Sequence, residues 1–150
     1  MSKKNKSSYA KIPGDQEWAG YEADLDVSYL HKLVFGKSIE DAIPYFANQG
    51  IERMNELLFS PRRVFQYYVH AFGAYLLTDS AMGESDAASP FLALLEEREK
   101  RDPGSVRNII DSLEPYLAFV AERQEYFDAP EDIYGNFRQR VANIQQACRG

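Results

Sequence analysis

Cysteine is almost missing from this chain. Cys148 is the single one, two residues from the end, so no intrachain disulfide can form. At that terminal position it lacks the surroundings of a nucleophile. Histidine is nearly as scarce, with only His31 and His70. A zinc site needs clustered His and Cys, which two histidines and one cysteine do not supply. A di-iron bundle needs Glu-x-x-His pairs, but Ser28 and Tyr67 stand three residues before the two histidines. No metal ligand set is therefore expected.

Long apolar runs are missing as well. No stretch approaches the ~20 residues that cross a bilayer. Lys3, Lys4 and Lys6 open the chain with no apolar run behind them, unlike a signal peptide. Both absences place the protein in the cytoplasm with no membrane partner. Positive charge is in deficit: 17 Lys and Arg face 23 Asp and Glu, for a formal net charge of -6 and a pI near 5.0. A balance of this sign argues against a nucleic-acid partner held through phosphates.

Two partial motifs fail on position. Gly36-Lys37-Ser38 looks like the end of a phosphate loop, but His31 occupies the site of its first glycine and a helix precedes it where a strand is required. Asp24-x-Asp26-x-Ser28 opens like a calcium loop, but Tyr29 replaces the glycine and Phe35 the closing glutamate. No nucleophile-elbow signature occurs. The reading names no catalytic residue and no cofactor.

What remains is a rich apolar content, 45% of 150 residues, enough for the core of one domain. The stretch Ser60 to Thr78 is apolar almost all round. Phe65, Tyr68, Val69, Phe72 and Leu76 follow helical spacing on one face, and Val64, Tyr67, Ala71 and Tyr75 form a second line. Ser60 reads as its N-cap and Pro61 as its first helical residue. Gly73, beside Ala71 and Ala74, is expected to admit another backbone. The prediction is an all-α, single-domain bundle of about six or seven helices around this central hydrophobic rod.

Around the rod, residues 1–16 read as a disordered polar arm and 17–150 as one helical domain, with Trp18 anchoring the junction. A first helix spans 24–35, with Leu25, Tyr29, Leu33, Leu30 and Val34 inward. A second spans 39–48, started by Ser38 with Asp41 and shortened by Pro44. A third spans 51–59, with Ile51, Met54, Leu57 and Leu58 inward. Residues 79–89 read as a loop, and Ser89-Pro90 as the start of a fifth helix to Arg101. Ser105 opens a sixth to Phe127, kinked at Pro115, and 130–147 make a seventh, with Ile133 inward and Arg138, Gln139 and Arg140 outward. The sixth and seventh are expected to flank the rod.

Three constellations could carry function. Arg62 and Arg63 sit in the first turn of the rod, where the helix dipole disfavours cations by ~0.3–1 kcal/mol each, so an internal carboxylate or a bound anion should compensate. Tyr67 and His70 could add polar groups to such an anion pocket. Glu122, Glu125, Asp128, Glu131 and Asp132 form an acidic corner, of which Glu122 and Glu125 lie at the unfavourable end of a helix and need a basic counterpart.

The leading expectation is a small acidic helical protein that acts by macromolecular interaction with a protein partner, a basic one by charge. Size and acidity parallel, by composition alone, the immunity and antitoxin-like proteins of bacteria. The rival is a ligand-binding protein or enzyme using Arg62, Arg63, Tyr67 and His70. The third reading is a homodimer built on an exposed apolar helix face.

Overall fold

The computed structural model describes residues 11–150; the first ten, most of the expected arm, lie outside the described residues. From Lys11 the chain runs to a buried Pro13. Nine α-helices follow, with short 3-10 turns between them and no strand among the described residues. They are α1 (Asp15–Trp18), α2 (Leu25–Val34), α3 (Ile39–Ala42), α4 (Gly50–Leu58), α5 (Arg62–Leu76), α6 (Ser85–Arg101), α7 (Ile110–Ala121), α8 (Glu131–Tyr134) and α9 (Phe137–Arg149). None is long and apolar enough to cross a membrane.

The expected rod is α5. Twelve of its fifteen residues are buried, and Phe65, Tyr68 and Phe72 are fully so. Each such aromatic contributes roughly 2–3 kcal/mol by leaving water. Phe72 is stacked on Phe46 and meets Phe91 edge-on, with ring centres 5.0 and 5.4 Å apart. Helices α1, α3, α4, α6 and α7 all touch α5. Helix α9 instead packs on α6 and α7 as an outer layer, so the expectation that it flanks the rod is corrected.

Several starts and faces differ from the sequence reading. Ser60 does not cap α5: its hydroxyl donates back to the Leu57 carbonyl at 2.8 Å, and Pro61 takes the cap position. Ser89-Pro90 lies inside α6, which begins at Ser85, so Pro90 gives up the intrahelical bond to the Asp86 carbonyl instead of starting the helix. The sixth expected helix is only α7, preceded by a 3-10 turn at Arg107–Ile109. The seventh is split: Gly135 at φ 77° breaks it, and the Asn136 side chain accepts from Gln139 N to start α9. On α2 the buried face is Val27, Leu30 and Val34, while Leu25 is 89% and Tyr29 49% exposed. Ile51 and Ile133 also point outward. As expected, Ser38 Oγ caps α3 by accepting from Asp41 N at 3.1 Å, and the segment after Ala42 tightens to a 3-10 turn containing Pro44.

Close backbone approach occurs at Gly50, not at Gly73. A Cβ on Gly50 would collide with the Asp86 carbonyl oxygen and lie 2.8 Å from Ala87 Cα, which is what lets α4 and α6 form the most extensive helix contact. Gly73 receives the edge of the Tyr116 ring, whose Cε2 would lie 2.8 Å from an added Cβ. Gly73→Ala is expected to lower stability by about 1–3 kcal/mol, the overpacking loss exceeding the helix-propensity gain of about 1 kcal/mol. Gly50→Ala, which meets rigid backbone, should lower it at least as much. Urea unfolding checks both; an unchanged or higher midpoint would show that the helices separate freely.

Candidate functional site

The counterpart of Arg62 is internal. Its Nε and Nη2 donate to the two oxygens of Asp102 at 3.1 and 2.5 Å, and Nη2 also donates to the Pro103 carbonyl at 2.9 Å. Asp102 is shared with Arg98, 3.2 Å away. Arg98 is 4% exposed, and its Nη1 is placed 3.1, 2.9 and 2.8 Å from the carbonyls of Leu57, Leu58 and Ser60. The first two carbonyls end α4, where no intrahelical N–H is left to reach them, and the third lies in the turn that leads into α5. The hydrogen bonds from Arg62 hold the Asp102 carboxyl below its ordinary range, while burial pulls the Arg98 guanidinium down.

The other residues expected beside Arg62 diverge around α5. Arg63 is exposed and lines a cavity of about 470 Å³ with Lys11, Pro13 and Glu17. The Tyr67 hydroxyl accepts from Ile39 N at 3.1 Å, towards α3, and burial raises its pKa. His70 points towards α7, 3% exposed, with Nε2 2.8 Å from Ser112 Oγ. That hydroxyl donates to the Ile109 carbonyl at 2.6 Å, and the other ring nitrogen, Nδ1, lies 3.3 Å from the Tyr67 carbonyl, so both ring nitrogens have polar partners. Burial lowers the His70 pKa, so the neutral ring is favoured. Tyr68 sits 2.9 and 2.8 Å from the Val34 and Lys37 carbonyls and closes the end of α2.

The acidic corner is a shaped loop. Gln124 organises it: its Nε2 donates to the carbonyls of Ala129 and Gly135, both at 2.7 Å, and its Oε1 accepts from Phe137 N at 2.9 Å. Phe127 and Ala129 are buried and pin the loop to the core, while Asp128 holds a left-handed φ of 56°. Glu122 is not surplus: Arg138 donates to both its oxygens at 3.3 and 2.6 Å, which lowers its pKa. Glu125, Asp128, Glu131 and Asp132 are exposed and make no ion pair among the described residues. Ile133, 70% exposed, stands beside them. Two adjoining depressions of about 420 and 370 Å³ share Gln124, Glu125 and Glu131. Arg140, expected to face solvent, is tucked against Glu96 at 2.9 and 3.0 Å.

Sequence reasoning missed a buried ion pair. Arg53 and Glu56 are both 4% exposed on α4, one turn apart. Arg53 Nη2 donates to Glu56 Oε2 at 3.0 Å. Its Nε lies 2.6 Å from Oε1, yet those two atoms are out of line and make no hydrogen bond. Burial, more than Arg53 can offset, pushes the Glu56 carboxyl up to about 7, and Asp26 and Glu52 add to the rise. No local pattern marks such a pair, since Arg and Glu at this spacing usually lie on a solvated face. Cys148, expected to lack a pocket, lines a groove of about 420 Å³ between α6 and α9, where burial raises its thiol pKa. No group of His, Cys, Asp and Glu among the described residues could hold a metal ion.

Comparison of the chain with protein-family models, with curated proteins and with solved structures finds no match.

Two predictions follow from these groups. Arg98→Met should cost about 3–5 kcal/mol, because it removes the buried donor shared by the Leu57, Leu58 and Ser60 carbonyls, whereas half-exposed Arg62→Met should cost at most about 1 kcal/mol. Equal losses in chemical denaturation would refute the ranking. The pH dependence has two opposed arms. Glu56, raised from 4.5 to about 7, contributes stability that is full below about pH 4.5 and is lost as pH rises to 7. His70, lowered from 6.5, contributes stability present above that value and lost as pH falls. Glu56→Gln should therefore tilt stability upward with pH between 5 and 7 relative to the parent, and His70→Gln downward. Parallel curves for parent and variants would show that neither group titrates with folding.

Proposed function

We propose that this protein acts by binding another protein, one with a basic surface, through the acidic corner of residues 122–133. One observation carries the reading: four carboxylates without an ion pair among the described residues, Glu125, Asp128, Glu131 and Asp132, share with an exposed isoleucine a segment tied down by the hydrogen bonds of Gln124. Carboxylates supply steering and orientation, and an apolar side chain supplies the surface that is desolvated on contact. A loop already fixed by Gln124 loses little conformational freedom when it binds. This supports a small acidic module of the immunity or antitoxin-like kind. The rival anion pocket has less to rest on, since Arg62 is occupied by Asp102 and His70 is packed inside.

Native purification of the tagged protein from its own cells should return a stoichiometric basic partner, released by raised salt. The combined variant Asp128→Asn, Glu131→Gln, Asp132→Asn, Ile133→Ser should lose that partner while keeping its free energy of unfolding within about 0.5 kcal/mol of the parent, as surface changes do. Recovery of no partner, or undiminished recovery with the variant, would overturn the assignment.

A further inference from the structure

A second surface lies on α2 and the start of α4. Helix α2 buries Val27, Leu30 and Val34, yet its outward line carries Leu25, 89% exposed and the most exposed large apolar side chain described, and Tyr29 one turn on. Ile51, 47% exposed, opens the neighbouring α4. A surface helix with two apolar lines has something left to cover.

Charge indicates what covers it. Asp26 and Glu52 are exposed and form no ion pair among the described residues. Both also repel the charged form of the Glu56 carboxylate. The cation among them is Arg53, whose guanidinium is spent on Glu56 and the Tyr45 carbonyl beneath the Tyr29 ring, 5.5 Å from its centre. Glu56 Oε1, in a side chain 6% exposed, is left without a hydrogen bond. The cluster therefore lacks positive charge. A second copy of this chain would bring the same carboxylates against their own kind, which disfavours it.

We propose that the outer face of α2 with the first turn of α4 is a docking surface for a basic amphipathic helix of a partner protein. Its apolar side chains cover Leu25, Tyr29 and Ile51, and an arginine or lysine pairs with Asp26 and Glu52. Such helix-on-face recognition reads apolar anchors at helical spacing flanked by charge. This surface is separate from the corner at 122–133 and does not depend on it.

The test uses the full chain, isotope-labelled, titrated with a synthetic amphipathic helix of leucine and arginine and with its leucine–glutamate counterpart. Amide shifts centred on Leu25, Tyr29 and Ile51, seen with the arginine peptide alone, are expected. Asp26→Asn with Glu52→Gln, and separately Leu25→Ser, should each weaken binding by about tenfold or more. Shifts confined to residues 122–133 would overturn this surface and leave the corner reading standing. Equal binding of the glutamate peptide, no saturable binding, or self-association through α2 in light scattering would overturn it too. Loss of the native partner from corner variants with peptide binding at α2 intact would separate the two sites.

Discussion

A guanidinium almost stripped of water, that of Arg98, joins three helix ends. Burying it is unfavourable by itself, and the loss is offset in part because its Nη protons meet carbonyls and a carboxylate, while its buried Nε proton finds no partner. The end of α4, the start of α5 and the end of α6 are thereby held in one place. Asp102 then does double duty by also taking Arg62, whose position at the positive end of α5 would otherwise be unfavourable. Beyond it, the Glu99 carboxylate accepts from the N–H groups of Gly104, Val106 and Arg107 at 2.7 to 3.0 Å, and Gln66 of the rod donates to the Ser105 carbonyl at 3.0 Å. Side chains thus add to the backbone hydrogen bonds of the turn from α6 to α7 and tie that turn to α5.

The rod itself was legible, because a helix apolar on most sides has only one place to go. What lay around it was legible only where the signal was local. Asp24 and Ser38 cap the helices they precede, since each needs only a backbone N–H three residues on. Ser60 and Ser105 offered the same local signal and do something else, drawn to the Leu57 and Arg98 carbonyls. Spacing left the face of α2 ambiguous. Leu25, Tyr29 and Leu33 make as good a stripe as Val27, Leu30 and Val34, and tertiary packing chose the second. Gly135 was readable as a break in retrospect, with Asn136 behind it as a cap.

The candidate sites divide the same way. The acidic corner lies within a dozen residues of chain, so its composition announced it. The partner of Arg62 stands forty positions away at Asp102, and that of His70 forty-two away at Ser112. No spacing rule reaches so far. Arg53 and Glu56 carry the opposite lesson. Their separation is that of an ordinary surface pair, and only the helices packed over them turn it into a buried one.

The net charge of -6 is not spread evenly. The arginines are largely committed to structure: Arg140 ties α9 to α6 through Glu96, Arg149 ties it to α7 through Glu114, Arg138 closes on Glu122, and Arg101 and Arg123 lie over Phe59 and Phe119. Cations used in this way cannot neutralise the remaining carboxylates. Exposed carboxylates without an ion pair among the described residues remain at several places, Glu22, Glu40 and Asp41 among them, and at Asp26 with Glu52 and along residues 125–132 a large apolar side chain is exposed in the same segment. Isolated exposed apolar residues need no explanation, and neither do isolated charges. Their coincidence at two places does, because like charges held together oppose folding and exposed Leu25 and Ile133 add nothing to the core. A basic partner with apolar side chains would relieve both at once, and the arginine-spending architecture of the fold is what leaves that vacancy open.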